Sequence, residues 1–115
     1  MKFDVMDCRD LKYQNEQFDL IIDKSTIDAL LCGNFAFINV AIMMKECQRT
    51  LKTGGSYVAI SYGSPGNREF HFLRDHLKLS LQTFRISKTH KESGHPSLHY
   101  IYILKKEPGA DQVSL

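Results

Sequence analysis

FDLIIDKSTIDALLCG, residues 18–33, is the stretch whose reading decides the fold. It opens on Phe18, Leu20, Ile21 and Ile22, a short apolar run rich in β-branched residues. Such a run predicts a strand buried on both faces, as in parallel α/β sheets. Polarity changes at Asp23 and Lys24, where a parallel strand would emerge at its carboxyl end. Ser25 or Thr26 can cap a short helix carrying Ile27, Ala29, Leu30 and Leu31, and Gly33 can close it. Ligands of open α/β sheets bind beyond the carboxyl ends of strands. The segment therefore predicts an α/β fold with its site at residues 23–26.

Upstream, residues 2–6 predict a strand through Phe3, Val5 and Met6, followed by a polar turn at Asp7, Cys8, Arg9 and Asp10. Downstream, several of Phe35, Ile38, Val40, Ile42, Met43, Cys47 and Leu51 recur at spacings of three and four. They predict a helix over 36–51, with Asn34 as its cap, Lys45, Arg49 and Lys52 near its end and Gly54-Gly55 as its stop. Tyr57, Val58, Ala59 and Ile60 predict a strand at 56–61, reached by a right-handed crossover. A loop at 62–66 and a helix over 67–79, carried by Phe70, Leu73 and Leu77, come next. Alternating runs at 81–89 and 98–105 predict an antiparallel pair that closes the sheet. Residues 1–107 read as one domain and 108–115 as a loose tail.

Composition narrows the function. The 115 residues carry a net charge of +2, too little to argue for nucleic acid, and no apolar run approaches a membrane span. Three cysteines without C-x-x-C spacing fit a reduced, cytoplasmic chain better than a disulfide framework. The histidines have no Cys or acid partner at ligand spacing, so no metal is expected.

DVMDCRDL (4–11), FDLIIDKSTIDALL (18–31), ECQRTLKTGG (46–55), SYGSP (61–65) with Arg68, and HYIYILKK (99–106) together resemble one family. It is that of the class I S-adenosylmethionine-dependent methyltransferases, and within it the group that methylates lysines of elongation factor 1-alpha. The resemblance implies a Rossmann-like, doubly wound sheet whose last strand runs antiparallel, and it reaches residue 107. It implies S-adenosylmethionine as cofactor and a protein substrate, with elongation factor 1-alpha as the candidate acceptor. By the same resemblance, Asp7 and Cys8 hold the adenine. Asp23 and Lys24 lie beside the methionine moiety and the target amine, Asp23 having helix capping as its other reading. Ser25, Thr26 and Tyr62 line the acceptor side. Asp28 reads as a surface helix acid.

The family also implies a Gly-rich loop and a ribose-binding acid on two earlier strands, whereas the first glycine here is Gly33. The chain is thus expected to be the carboxyl-terminal half of such a domain, with Met1 an internal methionine. Its central strand would then be an open apolar edge. Two functions follow as expectations: methyl transfer to a protein lysine in the complete domain, or a non-catalytic fragment that self-associates or binds partners through that edge.

Overall fold

The structure is a computed structural model describing residues 6–74, 77–89 and 96–108, with backbone only at 87–89 and 96–98. In chain order the elements are β1 (Phe18–Lys24), α1 (Thr26–Leu31), α2 (Ala36–Thr50), β2 (Leu51–Ser61), α3 (Pro65–Phe72), β3 (Leu79–Thr89) and β4 (Pro96–Lys106). Apart from Met6, which is in no strand, the strand expected at 2–6 lies outside the described residues, as does most of the tail.

The four strands form one sheet in the order β1-β2-β4-β3. β1 and β2 run parallel, with Ile22 opposite Val58 and Lys24 opposite Ile60. β4 lies antiparallel to both β2 and β3. The α/β reading, parallel strands followed by a closing antiparallel pair, is what is found. No helix among the described residues is long and apolar enough to cross a membrane.

Side chains alternate across the sheet, so register assigns each residue a face. On one face Tyr57, Ala59, Tyr102 and Leu104 are buried against Ile27 of α1, Val40, Met43, Met44 and Cys47 of α2, and Phe72 of α3. The other face carries the rows Ile22–Val58–Ile103 and Ile60–Ile101–Phe84. There Leu20, Ile22, Phe84 and Ile86 remain 46–64% exposed. β1 ends the sheet among the described strands, and an apolar sheet face accompanies it.

Several local expectations need correction. The α2 helix ends at Thr50, before Gly54-Gly55. Its last carbonyls are already satisfied: Arg49 O and Thr50 O accept from the N–H groups of Glu16 (2.9 Å) and Gln17 (2.8 Å), and Thr50 Oγ1 donates to Glu46 O (2.9 Å). Leu51 then turns to extended backbone and is fully buried. The two glycines instead serve a strand irregularity, because Phe18 pairs with Leu51 but Leu20 already pairs with Ser56. Gly54 has φ +86°, and a Cβ on Gly55 would sit 2.8 Å from Lys52 O and 2.9 Å from Asp19 O. Backbone approach that close requires glycine.

Asn34 does not cap α2. Phe35 occupies that position in the left-handed region (φ 55°) without a side-chain bond. The helix expected over 67–79 is shorter, Pro65–Phe72, and β3 starts at Leu79 rather than 81. Proline at the first turn sets its start, since proline has no N–H to satisfy there.

Candidate functional site

Three segments converge at the carboxyl ends of β1 and β2: the turn at 7–10, residues 23–28 and the loop at 61–64. The turn is held by α2. Arg49 donates to Leu11 O (3.0 Å), Tyr13 O (2.8 Å) and Glu46 (2.9 Å), and Leu11 N donates to Glu46 (2.9 Å). Within the turn Arg9 clamps Asp7 through Nη2 (2.6 Å), Nε (3.0 Å) and its own N–H (2.8 Å), and Nη1 reaches Asn39 of α2 (3.1 Å). These bonds hold the half-exposed Asp7 carboxyl down to about 2. Cys8 packs against the core, and burial, followed by the Asp7 charge, pushes its thiol up. A thiol kept protonated in this way is no nucleophile.

Asp23 is buried, and its carboxylate accepts three hydrogen bonds. Oδ1 accepts from Thr26 N (2.7 Å), and Oδ2 accepts from Ile27 N (3.3 Å) and Tyr57 Oη (2.5 Å). It caps α1, the other reading given for it above, and anchors Tyr57. The same bonds explain why neither Ser25 nor Thr26 caps α1 with its side chain. Ser25 sits at the cap position with φ 66° and donates its N–H to Ile60 O (3.0 Å). Lys24 is exposed, and Ser25 and Thr26 are partly so. Tyr62 is 64% exposed, with its ring 4.5 Å from that of His99.

Asp28 is no surface acid. It joins α1 to the loop after β2: Oδ1 accepts from Ser61 Oγ and from Arg68 Nη2 (3.0 Å) and Nε (3.1 Å), and Oδ2 accepts from Tyr62 N (3.0 Å). Burial pushes this carboxyl up, but the bonds from Ser61, Tyr62 and Arg68 outweigh it and hold it below its ordinary range. Tyr102 Oη donates to Gly63 O from the sheet side (2.5 Å). The Arg68 guanidinium lies over Gly63, where a Cβ would meet Cζ at 2.2 Å. Loop 61–64 is thus pinned from α1, α3 and β4, leaving the Tyr62 ring to face outward. Only the β1–β2 register brings Asp28 to Ser61, and no local sequence pattern encodes that meeting. Among the described residues, no three His, Cys, Asp or Glu side chains gather as a metal site.

No family model matches the chain. The chain is 25% identical over 114 residues to EEF1A lysine methyltransferase 4 of Bos taurus, covering 92% of this chain and 42% of that protein. It is 36% identical over 63 residues to the eEF1A lysine and N-terminal methyltransferase homolog of Drosophila melanogaster, covering 53% of this chain and 9% of that protein. Among solved structures, a SAM-dependent methyltransferase of Methanosarcina mazei superposes with TM-score 0.70 at 14% identity, covering 92% of this chain and 67% of that one. A Thermus thermophilus protein solved with S-adenosyl-L-methionine gives TM-score 0.69 at 12% identity, covering 96% and 57%. The chain spans about two fifths of the length of the Bos taurus relative. It has the fold of the S-adenosylmethionine-dependent methyltransferases and resembles the elongation factor 1-alpha lysine methyltransferases within them.

Proposed function

We propose that this chain forms the adenine-contacting and acceptor-side edge of a methyltransferase domain, and that the longer protein methylates a lysine of elongation factor 1-alpha in the cytoplasm. One observation carries the reading. The parallel pair β1–β2 delivers residues 23–28 and 61–64 to a single sheet edge. Ligands of α/β sheets bind at such an edge.

The residues fit S-adenosylmethionine on the adenine side. In this reading the Asp7 carboxylate, anionic at any working pH and already bonded by Arg9, also accepts from the adenine amino group, and the Cys8 N–H donates to the ring. Asp23 uses three acceptor positions on the α1 cap and Tyr57, which leaves one on Oδ1 for a methionine ammonium. When bound, S-adenosylmethionine supplies an electrophilic methyl group on a sulfonium. Tyr62 and His99 form an aromatic wall that flanks the lysine ε-amine and excludes water while it is neutral. Asp28 and Arg68 hold that wall in place.

The test is calorimetric titration of the chain with S-adenosylhomocysteine. Saturable binding, weakened roughly tenfold by Asp7→Ala, is expected for loss of a charge-assisted bond. Absence of binding from a chain that unfolds cooperatively would overturn the adenine-side assignment. Methyl-lysine formation on purified elongation factor 1-alpha by the longer protein, read by mass spectrometry, tests the acceptor.

A second reading, self-association along β1, has one observation in its favour: Leu20 and Ile22 are 52% and 64% exposed on the outermost strand.

A further inference from the structure

On the helical side of the molecule a groove runs between α2 and the end of α3. It encloses about 390 Å³ and is lined by Phe37, Ile38 and Ala41 from α2 and by Phe70, His71 and Arg74. A volume of this size accepts one aromatic side chain with its neighbours. Phe37, Ile38 and Phe70 are 65%, 59% and 51% exposed, which leaves a contiguous apolar surface of the kind that marks interaction sites.

Two polar features qualify this surface. Among the described residues, no carboxylate pairs with Arg74 at the groove's end. His71, 6% exposed, has its ring 4.0 Å from that of Phe70 and 5.2 Å from that of Phe37, and its buried Nε2 has no hydrogen-bond partner among the described residues. Burial and the neighbouring Arg68 and Arg74 charges keep its imidazole neutral, so Nε2 can pair with a hydroxyl. The groove thus offers a slot for an apolar ring, an unpaired nitrogen beside it and a cation at its end.

We propose that this groove binds a segment of a partner protein in which a tyrosine stands next to an acidic residue. The tyrosine ring enters between Phe37 and Phe70, its hydroxyl reaches His71 Nε2 as the Phe37 ring slides aside, and the carboxylate pairs with Arg74. Tyrosine supplies ring and hydroxyl with few torsions to freeze, and arginine binds carboxylates through a fixed fork. The proposal is independent of the methyl-transfer reading.

The probe is 3-(4-hydroxyphenyl)propionate, titrated into the chain and followed in ¹H–¹⁵N correlation spectra. Saturable shifts at residues 37, 38, 41, 70, 71 and 74 are expected, with binding in the millimolar range for so small a ligand, on the order of 1 mM. The corresponding amide and 3-phenylpropionate each bind roughly fivefold more weakly, one lacking the charge and the other the hydroxyl. Arg74→Ala, an exposed site that leaves the fold intact, removes the preference for carboxylate over amide. Ala41→Trp fills the groove and abolishes the shifts. No saturable shifts, shifts centred elsewhere, or equal binding of acid and amide to the native chain would overturn the proposal.

Discussion

Asp28 and Arg68, forty residues apart, close an ion pair of 3.0 Å with 17% and 15% of their side chains exposed. The pair couples α1 to α3 and sets the backbone between them, because Asp28 also accepts from Ser61 and Tyr62. Replacing Arg68 with alanine strands a largely buried carboxylate, and replacing Asp28 with alanine strands the guanidinium. Each variant is expected to lose about 2 kcal/mol in urea unfolding, below the cost of breaking a fully buried pair. The double variant should lose clearly less than the sum of the two. Additive losses would show that the pair contributes no coupling. Arg68→Lys does not restore stability, since an ammonium cannot reproduce the Nε and Nη2 contacts together.

The same pair sets a pH dependence. Asp28 titrates lower in the folded chain than in the unfolded one. Its contribution is therefore fully present above the unfolded value near 4 and is lost as pH falls through the lower folded value. Unfolding curves from pH 6 down to pH 2 should show a loss below about pH 4 that shrinks in Asp28→Asn. Equal acid sensitivity of both proteins would assign the loss to other carboxylates.

Asp23 carries a different prediction. With two caps and the Tyr57 hydroxyl on one carboxylate, Asp23→Ala removes three bonds and leaves the Tyr57 Oη buried without its acceptor. The expected cost is about 3 kcal/mol, against about 1 kcal/mol for Tyr57→Phe, which keeps both caps. S-adenosylhomocysteine binding by Tyr57→Phe should equal that of the native chain. A fall in affinity would show that the Asp23–Tyr57 bond supports the binding site.

These contrasts explain what the sequence made legible. The strand at 18–24, the long helix and the closing antiparallel pair were readable because their hydrophobic periods are local properties. Asp23 could be nominated because a strand end is recognisable from a change in polarity, whereas Asp7 and Tyr62 were nominated through the family resemblance alone. The division of labour among the acids was not readable. Asp23 faces inward because Tyr57 comes to meet it across the β1–β2 register, and Asp28 becomes the hub of the loop because that register brings Ser61 and Tyr62 to it. Gly54-Gly55 read as a helix stop because that is the commoner use of glycine after a helical run. Pairing with β1 recruits them into a strand instead.

Gly55 tests that recruitment. A methyl group there meets two backbone carbonyl oxygens, Lys52 O and Asp19 O, at under 3 Å, and neither can swing away as a side chain would. Gly55→Ala is therefore expected to lose about 2 kcal/mol or more, while Gly33→Ala, whose nearest neighbour is Leu30 O at 3.7 Å, stays within about 0.5 kcal/mol. Thermal unfolding of the two variants side by side separates a steric role from a general loss of glycine.

The uncovered face and edge of the sheet make the last prediction. Ile22 stands at their junction, 64% exposed and opposite Val58. A long apolar edge invites strand pairing, and natural proteins block it with charge, lysine above all. Sedimentation velocity is expected to show association that grows with concentration, and Ile22→Lys is expected to suppress it. Because the side chain already faces solvent, the substitution should alter stability by no more than about 0.5 kcal/mol. Association unchanged in Ile22→Lys would move the contact away from β1, and a chain that is monomeric at every concentration would rule out self-association altogether.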